Sequence, residues 1–170
     1  LLTSNAAIVQ SVCKGIAEHA PNSIIITVTN PLDIMTDLAA KLLGFPKSRV
    51  FGMAGVLDAA RMRYFVAEEL GVEPYRVTAM VLGGHGDAMV PVTSSMKCDG
   101  KLITSISADK LKAIIERTQN GGAEIVKYLK TGSAFYAPAS SVAEMVAAVL
   151  GNKETVLPVC AHCNGEYGIK

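Results

Sequence analysis

Ser23-Ile24-Ile25-Ile26-Thr27-Val28-Thr29-Asn30-Pro31 is the stretch that decides the fold. From Ser23 to Thr29 the run is almost wholly β-branched, the pattern of a parallel strand covered on both faces, and Asn30-Pro31 stops it sharply. Upstream, Ile8, Val9, Val12, Ile16 and Ala17 recur at helical spacing, which predicts a helix capped by Thr3 or Ser4 and ending near Pro21. Downstream, Pro31 opens a second helix through Leu32, Met35, Leu38, Ala39 and Leu42 to a cap at Gly44, and Arg49–Gly52 reads as another short strand. The order α-β-α-β is half of a doubly wound parallel sheet.

Beyond Gly52 the character changes. Val56 to Leu70 returns to helical spacing and closes at Gly71, after which Val77–Leu82 and Ala88–Ser94 read as paired strands. Cys98-Asp99-Gly100-Lys101 is a hairpin turn. A long helical stretch from Ala108 to Leu129, interrupted at Gly121-Gly122, and a second from Pro138 to Leu150 precede a last strand at Val156–Cys160. Strands followed by helices indicate an α+β unit, so the boundary is placed near Gly52–Gly55, with one domain at 1–54 and a second at 55–170.

The chain has 170 residues, half of them hydrophobic, enough for an ordinary globular core. Sixteen basic and fifteen acidic residues give a net charge of +1, and neither sign forms a run. That balance argues against nucleic acid or an acidic membrane surface and for a small molecule or another protein chain as partner. The longest apolar runs, Ile24–Val28 and Val146–Leu150, are too short to cross a bilayer, and no signal-peptide layout is present, so a cytoplasmic location is expected. Cys13, Cys98, Cys160 and Cys163 fit a reducing compartment. Cys160-Ala161-His162-Cys163 is at most half of a zinc site, and no metal is expected. The chain opens on Leu1 within a helical pattern, so further sequence is expected upstream.

Three clusters concentrate polar residues at the ends of elements: Thr29-Asn30-Pro31, Asp58-Ala-Ala-Arg61-Met-Arg63, and Gly83-Gly84-His85-Gly86-Asp87. Ligands of open α/β sheets gather outside the carboxyl ends of strands, where Asn30 lies, although Asn-Pro is also an ordinary turn. Asp58 and Arg61 share one helix face; they are either a plain intrahelical ion pair or a carboxylate beside a bidentate clamp for a substrate acid. Glycines leave the His85 imidazole uncovered. It can act as general acid and base if Asp58 or Asp87 orients the ring, or serve as a metal ligand or loop residue. His19 and His162 have no such setting. No G-x-G-x-x-G or P-loop occurs, so a dinucleotide's pyrophosphate would have to be held by other sequence.

Taken together, Val28-Thr29-Asn30-Pro31, Gly55-Val56-Leu57-Asp58-Ala-Ala-Arg61-Met-Arg63, Leu82-Gly83-Gly84-His85-Gly86-Asp87 and Gly132-Ser133-Ala134 resemble the lactate/malate dehydrogenase family in order and spacing. The resemblance begins at the helix after that family's mobile substrate loop and stops before its final strands and C-terminal helix. It implies NAD as cofactor, a 2-hydroxy acid as substrate, and assembly into a homo-oligomer, dimer or tetramer. It further implies that His85 donates and accepts the proton, with Asp58 as its carboxylate partner and Arg61 on the C1 carboxylate. Asn30 would bind the reacting oxygen near the nicotinamide, Val28 and Thr29 would offer backbone contacts to that ring, Asn5 would approach the cofactor, and Ser133 would line the substrate pocket. The Asn-Pro bond is expected cis. Gly84 and Ala88, where lactate members usually carry an acid or amide and a hydroxyl, favour malate and oxaloacetate over lactate or another 2-hydroxy acid. The loop arginine that discriminates between them would precede Leu1, and this polypeptide alone is expected to be inactive.

Overall fold

The computed structural model describes residues 1–151 and 154–168, and these fall into two units: Leu1–Ala54 with the segment from Val159, and Gly55–Pro158. In the first unit, α1 (Leu2–His19) leads to β1 (Ile25–Thr27), α2 (Leu32–Leu43) and β2 (Val50–Gly52). Strands β1 and β2 are parallel, with Ile25 opposite Val50 and Thr27 opposite Gly52, and α2 is the crossover that a parallel pair requires. Val9 and Cys13 of α1, Met35, Ala39 and Leu43 of α2, and Val50 of β2 form one buried cluster. Helical spacing in α1 and α2 therefore does what it predicts, bringing one stripe of each helix into a shared core.

Four boundaries differ from expectation. Neither Thr3 nor Ser4 caps α1, which begins at Leu2, and Pro31 stands just before α2, whose first residue is Leu32. The Ser23–Thr29 run contributes only Ile25–Thr27 as strand, with Ile24 and Val28 exposed, because β2 is the one strand that pairs with it among the described residues. The expected final strand Val156–Cys160 reduces to a single antiparallel bridge between Cys160 and Gly52, closed by two backbone hydrogen bonds of 2.8 and 2.9 Å. Pro158 has no N–H to extend that ladder.

The second unit is built on α3 (Gly55–Leu70), followed by β3 (Val77–Thr78), β4 (Val81–Gly83), β5 (Met89–Pro91), β6 (Lys97–Cys98), β7 (Lys101–Leu102), α4 (Ala108–Leu129) and α5 (Tyr136–Leu150). Val77–Leu82 is thus two strands rather than one. β4 pairs antiparallel with β5, whereas β3 pairs with β6, the backbone changing partners at Ala79–Met80, where the Met80 carbonyl accepts from Val92 N–H at 2.8 Å. The β6–β7 hairpin turns on Asp99 and Gly100, both at positive φ (49° and 76°), the signature of a type I′ turn. Met62, Phe65 and Val66 of α3, Val77, Val81 and Met89 of the strands, Met96 just before β6, and Ile114 of α4 belong to the core.

Helix α4 runs unbroken from Ala108 to Leu129, so the expected interruption at Gly121-Gly122 is absent. A Cβ built at Gly121 would lie 3.0 Å from Arg61 Cδ and 3.2 Å from its Nε, and one at Gly122 would lie 3.3 Å from Arg61 Nη2. These glycines serve a close approach of α4 to an arginine of α3; they do not end the helix.

Candidate functional site

Asp58 is the fourth residue of α3, in the first turn, where the helix dipole favours a carboxylate. Its residue is 2% exposed. Oδ2 accepts a hydrogen bond from His85 Nδ1 at 2.8 Å, and Oδ1 lies 3.5 Å from Arg61 Nη1 without a hydrogen bond of its own. Of the two carboxylates left open by the sequence, it is Asp58 that reaches the ring. A carboxylate on Nδ1 settles the tautomer: the proton sits on Nδ1, and Nε2 keeps its lone pair.

His85 occupies the tip of the tight β4–β5 hairpin. Gly84 N–H bonds to Ala88 C=O at 3.2 Å and Met89 N–H to Gly86 C=O at 3.1 Å, which closes the loop on both sides of the histidine. Gly83 holds φ +78°, and a Cβ there would meet Ala88 O at 2.4 Å, so this entry to the loop excludes any other residue. The imidazole side chain is 25% exposed, held on one nitrogen and reachable on the ring. That is the arrangement of a proton-transfer group.

Arg61 is one helical turn after Asp58, with a side chain only 11% exposed. Burial pulls its guanidinium below the ordinary range, and the Asp58 charge acts in the opposite direction. Its Nε is buried with no hydrogen-bond partner. A cation held this way is poorly compensated by one carboxylate at 3.5 Å, and a second anion would complete it. His85, Asp58 and Arg61 therefore form one contiguous cluster within the second unit, with the groups to move a proton and to bind an anion. Ser133 lies in the exposed segment between α4 and α5, its carbonyl accepting from Phe135 N–H at 2.9 Å.

In the first unit the structure joins Asn5 to Asn30: the Asn5 side-chain amide donates to the Asn30 carbonyl at 2.6 Å. The Asn30–Pro31 peptide is cis. Thr29 is half-buried, Asn30 exposed, and Val28 is 43% exposed immediately past the carboxyl end of β1. An uncovered apolar side chain beside free polar groups at that strand end fits the nicotinamide end of a dinucleotide. The chain has no glycine turn for the pyrophosphate, so none of its residues is assigned to that group.

The feature that sequence reasoning missed is the Gly121-Gly122 contact with Arg61. Its signal was present, since two adjacent glycines in an otherwise good helix are costly unless something needs the space. Among the described residues no group of three or more His, Cys, Asp or Glu is placed to hold a metal, and all four cysteines are free.

A parallel βαβ half followed by an α+β unit that holds a histidine hydrogen-bonded to a buried aspartate beside an arginine defines a Rossmann-type α/β protein. The chain belongs to the lactate/malate dehydrogenase family. Residues 1–52 match that family's NAD binding domain and residues 55–170 its alpha/beta C-terminal domain. A malate dehydrogenase of Geotalea daltonii is 50% identical over 181 residues, covering 100% of this chain and 57% of the relative. The crystal structure of Cryptosporidium parvum malate dehydrogenase superposes with a TM-score of 0.97 at 44% identity, covering 100% of this chain and 56% of that one. The lactate dehydrogenase of the same organism superposes at 0.96 with 41% identity, covering 100% and 58%. The chain thus spans little more than half the length of the relatives it matches.

Proposed function

We propose that this sequence carries the acid–base half of an NAD-dependent malate dehydrogenase. The single observation that carries the reading is the 2.8 Å hydrogen bond from His85 Nδ1 to the buried Asp58, which leaves Nε2 as a base. NAD, when bound, supplies the acceptor for the hydride leaving C2 of malate. His85 Nε2 takes the hydroxyl proton as the carbonyl of oxaloacetate forms, and Asp58 stabilises the resulting imidazolium. In reduction the same nitrogen returns the proton. Arg61 takes the C1 carboxylate in its planar fork, which supplies the second anion that its buried guanidinium lacks. By family resemblance, Asn30 holds the reacting oxygen, Val28, Thr29 and Asn5 serve the nicotinamide end, and Ser133 lines the substrate pocket.

Malate is preferred to lactate because Gly84 and Ala88 flank the histidine loop and because the relative at 50% identity is a malate dehydrogenase. No helix among the described residues is long and apolar enough to cross a membrane. Four free thiols support a cytoplasmic enzyme, and the exposed Ile8 and Val12 of α1 support a homo-oligomer.

The test is His85→Asn in the complete polypeptide, assayed with malate and lactate side by side. Turnover of malate should fall on the order of 10²–10⁴-fold while NAD binding persists. Near-normal turnover removes His85 from the mechanism. A wild-type preference for lactate replaces the malate assignment with the lactate one.

A further inference from the structure

Helix α4 carries two adjacent glycines seven or more residues from either end, although each glycine in a helix interior lowers helix stability relative to alanine. Both face the same side chain. The ideal Cβ positions of Gly121 and Gly122 fall 3.0 to 3.3 Å from Arg61 Cδ, Nε and Nη2, tighter than ordinary van der Waals contact. On its other flank Arg61 Nη1 is 3.5 Å from Asp58. The guanidinium is therefore held between a buried carboxylate on its own helix and bare backbone on the neighbouring one, and its Nε is sealed without a hydrogen-bond partner. Nothing else about these positions calls for glycine, since neither is at positive φ.

We infer that Gly121 and Gly122 are positioning residues for the substrate carboxylate: the pair forms a flat backing that sets the depth and tilt of the Arg61 guanidinium. The inference rests on the reading of Arg61 as the C1-carboxylate clamp. A methyl group at Gly121 must push Cδ and Nε by a few tenths of an ångström, and bidentate pairing tolerates such displacement poorly. The backbone itself has no reason to object, because alanine is the better helix former at both positions. Stability and substrate binding should then move in opposite directions, which no merely structural role of the glycines produces.

The experiment is Gly121→Ala in the complete enzyme, alone and combined with Arg61→Lys, with Gly122→Ala as a second variant. For Gly121→Ala the KM for malate and oxaloacetate should rise about three- to tenfold, with the KM for NAD unchanged and the melting temperature equal to or above that of the parent. In the Arg61→Lys background the same alanine should have no further effect on KM, because the fork it displaces is already gone. If Arg61→Lys raises the dicarboxylate KM while neither glycine variant does, the backing role is overturned and the clamp stands. If Arg61→Lys leaves that KM unchanged, the clamp itself fails and the inference falls with it. A melting temperature that drops in parallel with activity in both glycine variants would also overturn it, by assigning them to packing alone.

Discussion

Asp58 is a carboxylate with 2% of its surface exposed, and such burial costs several kcal/mol in lost hydration unless neighbours compensate. Its compensation is a hydrogen bond to His85, an ion pair with Arg61 and a place in the first turn of α3. Asp58→Asn keeps the size but loses the charge that stabilises an imidazolium. Turnover should fall on the order of 10²–10⁴-fold with unchanged circular dichroism, and a variant that turns over normally would show that the pairing has no catalytic role. Arg61→Lys retains the charge but loses the fork, so dicarboxylate KM should rise about tenfold or more. The Cys160 thiol, by contrast, is pushed up to about 11, first by burial and then by its hydrogen bond to the Asp33 carboxylate. At pH 8 it should therefore be alkylated on the order of 100-fold more slowly than an ordinary thiol. The sign for stability follows. Between its unfolded value near 9 and 11, the unfolded chain loses this proton first, so the contribution of Cys160 to stability declines as pH rises through that window. Mass mapping after iodoacetamide treatment checks the first statement; rapid modification of Cys160 at pH 8 contradicts it.

Helix α3 carries chemistry and core on one element, with Asp58 and Arg61 at its start and Met62, Phe65 and Val66 in the buried cluster. Met62 is fully buried and directly follows Arg61. Met62→Ala should destabilise the protein by about 2–5 kcal/mol, read from urea midpoints, because the cavity refills only partially. A loss below ~1 kcal/mol would mean that the helix is not anchored there. At this scale the sequence was legible where a pattern is local. The 3.6-residue spacing of α1, α2 and α3 and the Asp99-Gly100 turn depend on neighbours in the chain, and the structure has them. It was illegible where a partner decides. Val77–Leu82 reads as one strand, yet β3 and β4 belong to different sheets, and Gly121-Gly122 reads as a break only while Arg61 is out of view.

Across the whole molecule, the dehydrogenase reading divides unevenly between what the chain contains and what it does not. It contains the hydrogen-bonded His85–Asp58 pair, Arg61 and the carboxyl end of a Rossmann strand, and no glycine turn for a pyrophosphate. The 170-residue polypeptide on its own should therefore show no specific NAD binding by calorimetry, since a dinucleotide is held chiefly by its phosphates at a helix N-terminus. Micromolar affinity would refute this and reveal a phosphate site that the motifs do not disclose.

The sequence by itself determined the α-β-α-β order of the first unit, the α/β class and the family, and it singled out His85, Asp58 and Arg61 as candidates, because each is written in short-range spacing or in a motif of adjacent residues. Which carboxylate faces the histidine, how deeply the arginine is buried and what two glycines in α4 are for were decided only by the tertiary structure. Those properties are distances between residues 27 to 61 positions apart in the chain, such as Asp58 to His85 and Arg61 to Gly122. Distances of that kind are set by how helices and hairpins pack, and no local pattern encodes them.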